Sequence, residues 1–129
     1  MNKFAPVVLL CIGLVVAFTA CGSSGNQAPR AVEDYLNALV NKDADRLSAL
    51  SCADWESNAL LELDSLQAVD TRLEGLTCSV SGTDGDTTLV SCQGKIIATY
   101  NNEDQELDIS VRTYQVVQQG GESLVCGYR

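Results

Sequence analysis

The segment LEGLTCSVSGTDGDTTLVSC, residues 73–92, decides the fold. Upstream of it Val69, Thr71 and Leu73 alternate with polar Asp70, Arg72 and Glu74, the period-two pattern of a half-buried strand. After Gly75 the apolar phase moves by one residue, to Leu76, Cys78 and Val80. An extra residue at a glycine is what a β-bulge inserts: the strand bends and keeps its apolar face inward. Gly82-Thr83-Asp84-Gly85-Asp86 reads as a turn, and Val90 and Cys92 open a returning strand. A hairpin centred on Gly85 sets Cys78 opposite Cys92 and Val80 opposite Val90, all on one face. Directly opposed strand residues stand close enough for a disulfide.

Downstream, the returning strand spans roughly 87–100 and places Val90, Cys92, Ile96, Ala98 and Tyr100 on one face. Asn101 to Gln105 turns the chain. Leu107, Ile109, Val111 and Val117 then line one further strand, with Thr113 and Gln115 in the same phase. Gly120-Gly121 makes a two-residue hairpin into a last strand carrying Leu124, Cys126 and Tyr128. Upstream, Val32, Tyr35, Leu36, Leu39 and Val40 recur at helical spacing, which predicts an amphipathic helix over 30–41 begun at Pro29. Asp43 is placed to cap a second short helix carrying Ala44, Leu47 and Leu50. Ser51-Cys52-Ala53-Asp54 has the form of a capping box for a third, in which Trp55, Ala59 and Leu63 share a face. The expected architecture is α+β: N-terminal helices packed on a curved, four-stranded antiparallel meander over residues 31–129.

Helices, then a bulged meander, then a last strand ending Leu-Val-Cys-Gly-Tyr (124–128) resemble the small bacterial lipoproteins with a nuclear-transport-factor-2-like, or cystatin-like, domain. The resemblance implies a cone-shaped domain. It leaves the activity open, because that fold hosts isomerases, dehydratases, transport adaptors and plain binding modules. Enzymes of the fold commonly set an Asp/His or Asp/Tyr arrangement inside the cone.

Residues 1–20 read as a signal peptide: Lys3, then the apolar run FAPVVLLCIGLVVAF, then small residues. As a helix that run is shorter than the roughly 30 Å hydrocarbon core of a bilayer. Phe18-Thr19-Ala20-Cys21 resembles a bacterial lipobox, with Phe18 where such boxes usually carry Leu. Cys21 is then the lipid-attachment site, and residues 21–30 form a Gly/Ser-rich tether. Ordinary cleavage after Gly22 is the alternative, since Ala20-Cys21-Gly22 also presents small residues. Export places the domain in the cell envelope, on the extracytoplasmic face, with the membrane as its first partner.

With Cys11 in the signal and Cys21 lipidated, Cys52, Cys78, Cys92 and Cys126 remain. An even count in an exported domain argues for two disulfides. The hairpin register picks Cys78–Cys92 and leaves Cys52 to join Cys126. The second bridge closes most of the domain into one loop, worth on the order of 4 kcal/mol in the chain-entropy model. The competing reading, one zinc ion on all four, lacks any close Cys-x-x-Cys pair.

Composition excludes more than it assigns. Seventeen acidic against eight basic residues give a net charge of −9, which repels phosphate backbones and disfavours nucleic acid as a partner. The chain has no histidine, which removes the commonest general base and metal ligand. No motif calls for a cofactor or a metal. Asp84-Gly85-Asp86 lacks the ligand series of a Ca²⁺ loop, and the acid-rich stretch 101–106 reads as a solvated turn. Trp55, Tyr100, Thr113, Gln115 and Tyr128 are the candidates for a pocket between helices and sheet, or for an ordinary core. A lipid-anchored, non-enzymatic module that binds a protein or a small apolar ligand is therefore expected. The alternative is an unusual enzyme of the same fold that uses a buried carboxylate and Tyr.

Overall fold

In the computed structural model, residues 26–129 are described; the signal-peptide reading, Cys21 and most of the tether fall outside them. Three helices come first: α1 (Gln27–Val40), α2 (Ala44–Ala49) and α3 (Ala53–Ser65). Five strands follow: β1 (Asp70–Asp84), β2 (Thr87–Tyr100), β3 (Glu103–Asp108), β4 (Thr113–Gln119) and β5 (Glu122–Tyr128). The class is α+β, with the helices laid on one face of a curved antiparallel sheet. No helix among the described residues is long and apolar enough to cross a membrane.

Burial holds the two layers together. Val32, Tyr35, Leu36 and Leu39 of α1, Leu47 of α2 and Ala59 and Leu63 of α3 form one cluster with Val90, Cys92, Ile96, Tyr114, Val116 and Val125 of the sheet. Each such side chain taken out of water contributes roughly 1.5–3 kcal/mol for the larger aliphatics. α1 starts at Gln27, and Ala28 and Pro29 are buried, so residues 27–30 belong to the helix and not to the tether. Asp43 caps α2 as expected, accepting from the Arg46 N–H at 3.1 Å. The capping box at Ser51 does not form. Ser51 Oγ instead donates to the Leu47 carbonyl at 2.7 Å, and Cys52 takes the N-cap position without a side-chain bond.

The hairpin register is the expected one for an unexpected reason. Asp84 pairs with Thr87 across a two-residue turn, which by simple continuation would set Cys78 opposite Gln93. A second bulge between Val80 and Gly82 takes up one residue, and Cys78 comes to face Cys92 and Val80 to face Val90. The bulge expected at Gly75 is present between Glu74 and Thr77.

The four-stranded meander becomes five strands. Leu107 to Val117 is not continuous: Asp108 accepts from the backbone N–H and hydroxyl of Ser110 at 2.8 and 2.6 Å, and this local turn breaks the strand. β3 pairs with the distal half of β2 (95–100) and β4 with its proximal half (87–91). Ile109 is buried between them, whereas Leu107 and Val111 are exposed. The break also resets the phase. Tyr114 and Val116 point at the helices, and Thr113 and Gln115 take the opposite side. A bulge in β5 lets Val125 pair with Val116 and Tyr128 with Tyr114, so both lie on the helix-facing side.

Both disulfides pair as expected. Cys78 and Cys92 join neighbouring strands with Cα atoms 4.0 Å apart, and Cys52 and Cys126 join the start of α3 to β5 at 5.1 Å.

Candidate functional site

The polar groups inside the cone gather around one carboxylate. α3 presents Trp55 and, seven residues on and therefore on the same face, Glu62. α1 contributes Tyr35, β4 contributes Tyr114, β5 contributes Tyr128, and the turn before β4 contributes Arg112. Tyr128 Oη donates to Glu62 Oε1 at 2.6 Å, and Arg112 Nη1 donates to the same oxygen at 3.1 Å. Tyr35 Oη donates to Glu62 Oε2 at 3.3 Å and accepts from Trp55 Nε1 at 3.0 Å. The Arg112 guanidinium lies 4.1 Å above the Tyr128 ring centroid, a cation–π contact.

The rings lock together. Trp55 and Tyr128 meet edge to face at 5.4 Å, Tyr114 and Tyr128 at 5.6 Å, and Tyr35 and Tyr114 are tilted at 6.4 Å. Trp55 can approach β5 because position 127 is glycine at φ 132°: a Cβ there would stand 3.3 Å from the indole ring. Tyr35 and Tyr114 are wholly buried, whereas the Glu62 and Arg112 side chains keep 21% and 30% of their surface. The carboxylate–guanidinium pair therefore sits at the mouth of the cone, with aromatic rings filling the space beneath it.

Electrostatics make the phenols donors. Burial, then hydrogen bonding to and repulsion from the Glu62 carboxylate, push the Tyr128 hydroxyl up to about 12. Tyr35 is raised further, chiefly by burial, with the Trp55 hydrogen bond pulling the other way and Glu62 adding to the rise. Burial also raises Tyr114, against the pull of the nearby Arg112 guanidinium, which the Tyr114 hydroxyl faces without reaching hydrogen-bond geometry. A proton on each phenol suits donation to a carboxylate. Glu62 accepts from two of these phenols and from the Arg112 cation, which engage three of its roughly four acceptor positions.

Of the pocket candidates, Trp55 and Tyr128 meet here. Tyr100 lies at the far end of β2 and is 58% exposed, and Thr113 and Gln115 lie across the sheet from the cluster. Surface clefts of about 400, 580 and 340 Å³ lie elsewhere: between α1, α2 and the β4–β5 turn, beside the Gly75 and Gly94 bulges, and at Cys52 and Cys126. Glu62, Arg112 and Tyr114 are absent from the sequence-based candidates. Glu62 was legible as the residue one helical heptad after Trp55. Tyr114 was lost with the phase of the broken third strand. The described residues hold no group of three or more acidic or cysteine side chains placed to bind a metal.

No protein-family model and no curated protein matches the sequence. Solved structures do match. A putative dehydratase of the nuclear-transport-factor-2-like family from Streptomyces avermitilis superposes with a TM-score of 0.57 at 16% identity, over 81% of this chain and 92% of that one. A nuclear-transport-factor-2-like protein with a cystatin-like fold from Novosphingobium aromaticivorans gives 0.57 at 14% identity, over 80% and 77%. The fold is cystatin-like. An LEH-like epoxide hydrolase from M. tuberculosis shares it at a TM-score of 0.56 and 18% identity, over 82% of each chain. At these identities the likeness extends to the cystatin-like fold and no further.

Proposed function

We propose that this chain is a non-enzymatic, lipid-anchored module of the cell envelope, held by Cys21 on the extracytoplasmic face, whose cystatin-like domain engages a protein partner through its outer surface. One observation carries the reading: the carboxylate of Glu62 is held by Arg112, Tyr128 and Tyr35, and aromatic rings fill the space beside it. A general base needs an available lone pair within reach of a substrate proton. Glu62 has most of its acceptor capacity committed to Arg112, Tyr128 and Tyr35, and no histidine is present to replace it. The large apolar side chains left exposed among the described residues, Leu61, Val80, Tyr100, Leu107 and Val111, offer contact points outside the cone.

A second reading is favoured by the Tyr128–Glu62 contact itself. A carboxylate hydrogen-bonded to a phenol within the cone is the arrangement that an unusual isomerase- or dehydratase-like enzyme would employ, and two of the structural neighbours are described as a putative dehydratase and an epoxide hydrolase.

Site-specific photo-cross-linking of the full-length protein in its native envelope separates the two. Photoreactive residues at positions 61, 100 and 111 are expected to give discrete adducts in the parent chain and equally in E62Q. Failure at every position, together with an epoxide-opening or dehydration activity that E62Q abolishes, would replace this reading by the enzymatic one.

A further inference from the structure

The two disulfides occupy unlike surroundings. Cys92 is fully buried, and Cys78 packs with it against the core under α1. Cys52 and Cys126 together line the 340 Å³ surface cleft with Ala53, Asp54, Val117 and Gln119. Each bridge joins one buried cysteine to one partly buried one, Cys92 to Cys78 and Cys52 to Cys126, and the difference between them is the surface cleft onto which Cys52 and Cys126 open.

We propose that Cys52–Cys126 is a redox latch on the cone, opened by thiol–disulfide exchange while Cys78–Cys92 stays closed. Three residues after Cys52 stands Trp55, and two after Cys126 stands Tyr128. These two rings form the side wall of the Glu62 cluster, in edge contact at 5.4 Å. The latch therefore fixes the point at which α3 and β5 hold their aromatic residues together. Opening it does not cut the seam. The Cys52 N–H donates to the Val125 carbonyl at 2.9 Å, and the Val125 N–H donates to the Leu50 carbonyl at 2.8 Å. With those bonds intact the fold persists, and Trp55 and Tyr128 gain freedom at the mouth of the cone.

The step balances with a dithiol as reductant. Its thiolate attacks Cys126 Sγ, forming a mixed disulfide, and the Cys52–Cys126 bond breaks with Cys52 Sγ leaving as thiolate, which then takes up a proton. The dithiol's second sulfur, as thiolate, closes on its first, expelling Cys126 as a thiolate that is likewise protonated. The chain gains two electrons and two protons, and the dithiol becomes a cyclic disulfide. In the envelope the reductant would be a dithiol protein.

Dithiothreitol is the probe. The oxidised full-length protein is titrated with it, quenched with iodoacetamide and mapped by mass spectrometry, while the emission of Trp55, the one tryptophan in the chain, is followed. Cys52 and Cys126 are expected to become alkylated at roughly tenfold lower reductant than Cys78 and Cys92, with the Trp55 emission changing in step. The C52S/C126S variant should fold, show the reduced-state emission from the start and give no response at low reductant. Cys78–Cys92 opening first or simultaneously, a Trp55 signal indifferent to alkylation of Cys52 and Cys126, or a C52S/C126S chain that cannot fold would each overturn the latch.

Discussion

β2 passes through two settings, and the contrast between its halves shows what holds each part of the sheet. From Thr87 to Cys92 it lies between β1 and β4, with Val90 and Cys92 fully buried and a disulfide to Cys78. From Lys95 to Tyr100 it lies between β1 and β3, and β3 is exposed along its whole length. There the cross-strand contacts are ionic. Arg72 reaches Asp104 at 3.1 Å and Glu74 at 3.2 Å, and Lys95 reaches Glu106 at 2.6 Å. Thr99 Oγ1 donates to Asp104 at 2.6 Å. Both halves bury residues, Val90 and Cys92 in the first and Ile96 and Ile97 in the second. The second half, however, carries a solvated edge strand, β3, whose charges shape that edge and add little stability. Gly94 is the joint between them.

The joint should give the largest effect. A Cβ at Gly94 would lie 2.6 Å from the Glu74 carbonyl oxygen and 2.8 Å from Gly75 backbone atoms, at a φ of 114°. G94A is therefore expected to cost about 2–4 kcal/mol, through strain and a backbone clash that no rotamer relieves. Urea unfolding measures it, and a variant of parental stability would show that the two bulges are not stacked as described.

Alkaline pH should act next, on the core side alone. Tyr128 has a folded-state value of about 12 against an ordinary 10. The folded state then holds its proton more tightly than the unfolded chain does. Its contribution is complete below pH 10 and is lost as pH rises through about 12. Unfolding midpoints should fall across that interval, and Y128F should flatten the fall. An equally steep decline in Y128F would remove Tyr128 as the cause.

Y114F tests the other side of the same cluster. It deletes a buried hydroxyl that has no partner among the described residues, so stability should stay level or rise by up to about 1 kcal/mol. A clear loss in thermal unfolding would mean that the hydroxyl has a partner in solution. The smallest effect belongs to the solvated edge: R72A should leave the unfolding midpoint indistinguishable from that of the parent chain, in low salt and high. A marked drop would show that the ion pairs of this edge act as a stabilising network.

The same contrast explains what could be read from the sequence. Alternation with a one-residue slip at Gly75 reported the first bulge, and four cysteines with the hairpin register reported both bridges. The slip between Val80 and Gly82 left no such mark, because Val80 is itself partly exposed and its neighbours are polar. The register came out right only because a turn centred on Gly85 and a two-residue turn followed by a bulge place Cys78 identically. The β3–β4 break was hidden because Leu107, Ile109 and Val111 alternate as a strand would, although only Ile109 is buried. Missing that break inverted β4 and put Thr113 and Gln115 where Tyr114 and Val116 stand. At the candidate site, Trp55 and Tyr128 were legible as large rings on apolar faces. Heptad spacing from Trp55 could have singled out Glu62, but nothing in the sequence pairs it with Arg112; only the tertiary approach of α3 to the turn before β4 joins them.

The cone is closed by its own side chains, with Glu62 held by Arg112, Tyr128 and Tyr35. Titrating the oxidised protein with small apolar probes such as benzene and cyclohexanol, while following the Trp55 indole and the Tyr35 and Tyr114 ring signals by NMR, tests this most directly. These signals are expected to stay in place at every probe concentration that leaves the fold intact. Saturable shifts at Tyr114 and Trp55 would show an occupied cone, and with it a ligand site incompatible with a closed one.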